Sequence, residues 1–213
     1  MRSILCLFVL VGCGSEEAQT PQAQGTPEQG GAAASGSPGA PPTVALPALP
    51  EGQVVEVDGA TSAFEWVGAK ITKQHSGGFT GYEGRVVLGA ENNVLGTEFE
   101  IDMATAFTDS EKLTKHLLNA DFFDVRTFAK ARFSSADVQV VEEQSHRVKG
   151  VLEFHGNSRS IEFPATIAVS ETGVNVQAEF PLNRQDFGVS YPGKPDDLIK
   201  DQVQIKLNLN FPR

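Results

Sequence analysis

Cysteine is almost absent: the chain has 2 in 213 residues, and both, Cys6 and Cys13, fall within the first thirteen positions. Beyond them no internal disulfide can form, and cysteine nucleophiles and thiolate metal sites are excluded as well. Long apolar runs are missing too. The one apolar stretch at the start, MRSILCLFVLVGC over residues 1–13, is too short to cross a bilayer and reads as an export signal. Clustered positive charge is lacking: 17 Lys and Arg stand against 27 Asp and Glu, a net charge of −10. With the two signs mixed along the chain, a nucleic-acid partner is not expected. From Gly14 to Pro50 there is no Lys, no Arg and no aromatic residue, only Gln, Pro, Gly, Ala, Ser and Thr with a few Glu and aliphatic residues. Such a stretch cannot bury enough surface to offset its ordering entropy, so it is expected to be a tether. As a flexible coil it would span about 30 to 35 Å.

The apolar start ends in Leu10-Val11-Gly12-Cys13, which resembles the lipobox of bacterial lipoproteins. The resemblance implies lipid attachment at Cys13, cleavage before it and an extracytoplasmic, membrane-anchored protein. Gly14 and Ser15 follow in place of the Asp that would resemble an inner-membrane retention signal, so the outer membrane facing the periplasm is expected.

From Glu51 onward the pattern is one of half-buried strands, with period-2 alternation broken by Gly, Asn, Asp and Ser. Phe64 and Trp66 alternate with Glu65; a turn is expected at His75 to Gly78; Tyr82, Gly84, Val86 and Leu88 share a face, and so do Phe99, Ile101 and Met103. A helix then interrupts the strands. Thr108 with Glu111 reads as a capping box, Leu113 and Leu117 as its apolar side and Asn119 as a left-handed stop. Beyond it Ala131 and Phe133 take odd positions but Val138 and Val140 even ones, which requires a bulge near Ser134 to Ala136. Four cleaner runs follow: Val148 to Phe154, Ile161 to Val169, Val174 to Leu182 and Val203 to Phe211. Hairpin turns fall at Glu142 to Ser145, Gly156 to Arg159 and Glu171 to Gly173, whereas Asn183 to Asp201 is long and aromatic, as ordered lids and binding loops are.

These elements predict an all-β fold: an eight-stranded antiparallel barrel with one short helix segment between strands, because closing the sheet removes its edges and its bare apolar face. Inward Gly84, Gly150, Ala165 and Ala178 either interlock with the aromatics or leave a tunnel. Four histidines, His75, His116, His146 and His155, have no metal-ligand spacing, and no G-x-S-x-G elbow occurs. No metal, no cofactor and no catalytic residues are expected.

Phe64 and Trp66, Gly78-Phe79 with Tyr82 and Gly84, KHLLNADFFD from Lys115 to Asp124, Phe133-Ser134-Ser135, Val148-x-Gly150-x-Leu152 with Gly156, and Asn183-Arg184-x-Asp186-Phe187-Gly188 together resemble the YceI-like family over nearly the whole of residues 51–213. The chain departs from the family's pattern at Thr127 to Lys130, where a Pro is usual. The resemblance implies a lipocalin-like barrel that binds, stores or transports a polyisoprenoid or similar long-chain amphiphile and is not an enzyme. The rival readings are an enzyme acting on a lipid-like substrate in the barrel and a filled-barrel structural or stress-related envelope protein. The ligand contacts expected on the strands are Phe64, Trp66, Tyr82, Phe99, Phe133, Phe154 and Phe180. The helix segment is expected to add Leu117, Phe122 and Phe123 as a plug where the tail lies. The long loop would add Arg184 and Phe187 near the head group. Arg184 either meets that head group at the barrel mouth or pins its loop through Asp186 or Asp201.

Overall fold

The alternation of apolar and polar residues is realised as strand after strand in the computed structural model, which describes residues 44–213. The expected export signal, Cys13 and the tether as far as residue 43 lie outside the described residues. The strands are β1 (Gln53–Glu56), β2 (Ala63–Ala69), β3 (Gln74–Phe79), β4 (Tyr82–Leu88), β5 (Val94–Asp102), β6 (Ala106–Thr108), β7 (Lys130–Glu142), β8 (Ser145–Phe154), β9 (Asn157–Ser170), β10 (Gly173–Asn183), β11 (Gly193–Lys194), β12 (Asp197–Leu198) and β13 (Gln202–Pro212). The helix α1 (Glu111–Leu117) stands between β6 and β7.

Eleven strands make one antiparallel sheet, and β11 and β12 form a small hairpin inside the long loop. Three pairs of consecutive strands, β1–β2, β3–β4 and β5–β6, each behave as one bent path. β1 lies on β4, with Val54 opposite Val87, while β2 lies on β3, with Phe64 opposite Phe79. On the other side β5 pairs with β4 and β6 with β3. The expected count of eight strands is thus exceeded, because three of the expected strands are each broken by a bend into two, leaving eight paths. β13 pairs with β2, Ile205 opposite Trp66, which brings the sheet round into a barrel. Sharp bends let short strands close so tight a curve. The two neighbouring corners are tied together: the Gly81 N–H donates to Thr105 Oγ1 at 2.9 Å, and the Asp102 N–H to the Gly81 carbonyl at 2.9 Å.

The bulge in β7 falls where the change of parity requires it, between Ser134 and Asp137. Ser135, fully buried, fills the gap in the ladder by donating to the Lys149 carbonyl at 2.7 Å. Val140, expected inward, is exposed because β7 outruns the barrel there.

Three local expectations are corrected. His75 to Gly78 belongs to β3 and is no turn; the turn is at residues 70–73, closed by the Lys70 N–H on the Lys73 carbonyl at 2.7 Å. Gly77 is there for close approach, since a Cβ on it would sit 2.4 Å from Trp66 Cζ2. The capping box does not form, because Thr108 is still in β6, paired with Gly77, and the N-cap is Ser110. Thr108 Oγ1 instead accepts from the Ser110 N–H at 3.0 Å, and Glu111 pairs with Lys115. Asn119 is not left-handed. That conformation falls to Asp124, φ 43°, while the Asn119 carbonyl accepts from the N–H groups of Phe122 and Asp124.

Residues 44–50, the end of the expected tether, lie along the barrel wall. Ser134 Oγ donates to the Pro47 carbonyl at 2.8 Å, and Pro50 occupies the space that a Cβ on Gly96 would need.

Candidate functional site

Inward residues of the eight paths make a core that is not filled. The glycines do interlock with rings: a Cβ on Gly84 would meet Phe99 at 2.3 Å, and one on Gly150 would meet Phe133 at 2.5 Å. Two cavities remain even so, of about 190 and about 110 Å³, so the small inward residues interlock with the rings without filling the barrel, and what is left is a pair of cavities in place of a tunnel. Phe64, Ile101, Ala131, Leu152, Leu182 and Ile205 line both, so the two are chambers of one barrel separated by a single layer of side chains. The larger chamber lies at the end carrying α1. The smaller reaches toward the other end, among Phe99, Phe133 and Phe180.

Helix segment and long loop roof the same end. Leu113, Leu117, Phe122 and Phe123 line the larger chamber together with Arg184, Val189 and Ile199. Where the two pieces meet, the ring of Tyr191 lies 5.0 Å from Phe122 and 5.1 Å from His116, centroid to centroid. The expectation of a tail under the helix and a head group elsewhere, under the loop, is thereby corrected. The reason is parity: connections of an up-and-down barrel alternate between its ends, and the β6-to-β7 and β10-to-β13 connections are an even number of steps apart.

Arg184 is buried, and its role is settled by geometry. Nε donates to the Lys200 carbonyl (3.1 Å), Nη1 to the carbonyls of Val189 (2.6 Å) and Tyr191 (2.9 Å), and Nη2 to the Ile199 carbonyl (3.3 Å) and to Asp201 Oδ1 (3.1 Å). A guanidinium has five N–H groups, and all five are used. Arg184 pins the loop, with Asp201 and not Asp186 as its carboxylate, and no N–H is left for a head group.

Of the other expected contacts, Phe64, Trp66, Leu117, Phe122, Phe123 and Phe154 line the larger chamber, and Phe64, Phe99, Phe133 and Phe180 the smaller. Two lie outside both. Tyr82 stacks on Phe99 at 5.3 Å, and burial pushes its phenol above its ordinary range. Phe187, 1% exposed, backs Phe154 at 5.7 Å.

The structure adds two residues that the sequence reading missed, Lys70 and His75, which line the larger chamber near the β2–β3 turn. Their signal was hidden by taking β3 for a turn; as a strand, β3 puts His75 on the same face as Gly77, under Trp66. His75 Nδ1 lies 2.7 Å from Asp109 and Lys70 Nζ 2.6 Å from Asp197. Each partner holds its carboxylate below the usual range through that hydrogen bond. Trp66 Nε1 is buried without a hydrogen-bond partner among the described residues. No group of three or more metal-ligating side chains is assembled among the described residues.

Set against known proteins, the chain is 28% identical over 115 residues to a UPF0312 protein of Pseudomonas fluorescens (strain SBW25), covering 50% of this chain and 59% of that one. To a UPF0312 protein of Pseudomonas syringae pv. syringae (strain B728a) it is 32% identical over 113 residues, with the same shares. The matches thus span somewhat over half the length of these relatives. Among solved structures it is similar to BcnA of Burkholderia cenocepacia (TM-score 0.67, 23% identity, 72% of this chain and 98% of that one). It is also similar to a polyisoprenoid binding domain from Saccharophagus degradans implicated in plant cell wall breakdown (TM-score 0.62, 17% identity, 75% and 99%). At those identities the likeness is one of fold. The YceI-like domain matches residues 55–211, from within β1 to within β13 and so across the whole barrel, and the chain belongs to that family.

Proposed function

We propose that this protein binds one long-chain amphiphile, of the polyisoprenoid kind or similar, with its apolar tail in the two chambers, and that it stores or carries the molecule without covalent chemistry. The observation that carries the reading is the pair of adjoining cavities, lined by apolar side chains apart from Lys70, His75, Arg184 and the Trp66 indole in the larger and Thr97 and Arg132 in the smaller. Such a surface gains by burial, ~0.8 kcal/mol for each methylene taken from water before ordering costs. Support comes from the Saccharophagus neighbour, described as a polyisoprenoid binding domain. A roof of helix and loop over one end provides the way in, because a closed sheet has no lateral entrance. The lipobox-like Cys13 and the tether complete the reading: a barrel held on a lipid anchor in the bacterial envelope, at the outer membrane facing the periplasm.

Mass spectrometry of organic extracts of the purified protein tests this. A long-chain species recovered in about 1:1 ratio is the expected result; its turnover by the protein favours an enzyme, and its consistent absence, with no uptake of added isoprenoid, overturns the proposal.

A further inference from the structure

The larger chamber is apolar except at one corner, and that corner has hydrogen-bonding capacity left over. We infer that Lys70 and His75 form a subsite for an anionic oxygen head group, a carboxylate or a phosphate, on the molecule whose tail fills the barrel. The inference rests on the binding reading above and says what kind of molecule that reading admits.

β2 and β3 build the corner. His75 stands directly opposite Gly68, and Trp66 opposite Gly77, so Trp66, Gly68, Lys70, His75 and Gly77 share the inner face of one hairpin. Gly68 leaves a recess between them: a Cβ there would find only the Trp66 ring within 4 Å, at 3.6 Å. Lys70 and His75 keep 33% and 16% of their side-chain surface open to solvent, which marks the place where the oily chamber meets water. An amphiphile needs such a boundary at its head.

The donors decide which head it is. Arg184 is the larger cation on this chamber but has every N–H occupied, whereas an ammonium has three and Lys70 uses one, on Asp197. Asp109 accepts from His75 Nδ1 and so fixes the proton on that nitrogen, leaving Nε2 without a partner among the described residues. Nε2 is therefore the ring atom left to meet the head group, with Asp109 behind Nδ1. Beside them Lys73 and Lys200 are exposed, and neither is in an ion pair among the described residues; the Lys200 N–H donates to the Ala69 carbonyl at 2.8 Å, which sets that residue next to Lys70. Asp109 and Asp197 are each already paired, with His75 and Lys70, so the donors left to meet a ligand are the remaining N–H groups of Lys70 and the exposed ammonium groups of Lys73 and Lys200.

Two probes with one tail test this on the full, ligand-stripped protein: farnesyl phosphate and farnesol. Binding of the phosphate is expected to weaken by ~10-fold or more in each of His75→Gln and Lys70→Gln, as the loss of a charge-assisted hydrogen bond implies. Farnesol should stay within about twofold of wild type, which also shows that the variants fold. Equal weakening of both probes, or a phosphate affinity unchanged in both variants, overturns the subsite while leaving the barrel as a binder. Wild-type protein that binds neither probe overturns the binding reading and the subsite with it.

Discussion

The rings of Phe122, just after α1, and Tyr191, in the long loop, lie 5.0 Å apart at a tilt of 46°, with the His116 ring edge-on to both. Two segments nearly seventy residues apart in sequence thus close one end of one barrel, and this contact is where they must part for a long molecule to pass.

Tyr191→Ala should therefore open the roof more often. An aromatic pair of this kind is worth about 0.5 to 1.5 kcal/mol, so ligand release should accelerate by roughly 2- to 10-fold with little change in melting temperature. Stopped-flow release of a fluorescent fatty acid measures it; an unchanged rate would place the entrance elsewhere.

Arg184→Met should act on stability. Its loss strips four loop carbonyls and Asp201 of their donor. Leaving such acceptors unpaired should cost ~2 to 4 kcal/mol, a fall in Tm of roughly 5 to 15 °C. Arg184→Lys should recover little of it, since an ammonium cannot span the fork of acceptors. Thermal unfolding followed by circular dichroism decides the matter.

The two glycines beneath Trp66 should differ sharply. Gly77→Ala puts a methyl 2.4 Å from the ring and 2.3 Å from the Phe107 carbonyl, whose strand cannot give way easily; a loss of about 1 to 3 kcal/mol is expected. At Gly68 the same methyl meets the ring at 3.6 Å, an ordinary contact, so stability should change by less than about 0.5 kcal/mol. Denaturant midpoints for the pair provide the comparison.

The proposed anchor is tested by Cys13→Ala. Wild-type protein should partition into detergent extracts of membranes with a lipid on Cys13, and the variant should be unlipidated; an unmodified mature N-terminus beyond Cys13 would remove the anchor from the account.

Much of the barrel wall was legible because a strand with one buried face repeats every second residue, as in Ile161, Phe163, Ala165 and Ile167, and because the bulge in β7 shows as a change of parity between Phe133 and Val138. Other features have no such signature. Gly77 and Gly78 spell a turn locally and become strand only because the Trp66 and Phe107 rings lie on them, and with β3 misread, His75 could not be seen to face inward. Arg184 is held mostly by backbone carbonyls, which every residue owns and no residue type announces. That α1 and the long loop share an end could have been found by counting connections; taking two irregular segments for two different ends concealed it.

Trp66, the one tryptophan of the chain, lines the larger chamber and provides the most direct measurement. Ligand-stripped protein titrated with farnesol, with binding followed independently by calorimetry, should show its emission changing in step with the heat and saturating at one molecule per chain. Saturable binding with Trp66 emission unchanged, or no binding at all, would contradict the claim that the barrel holds the tail.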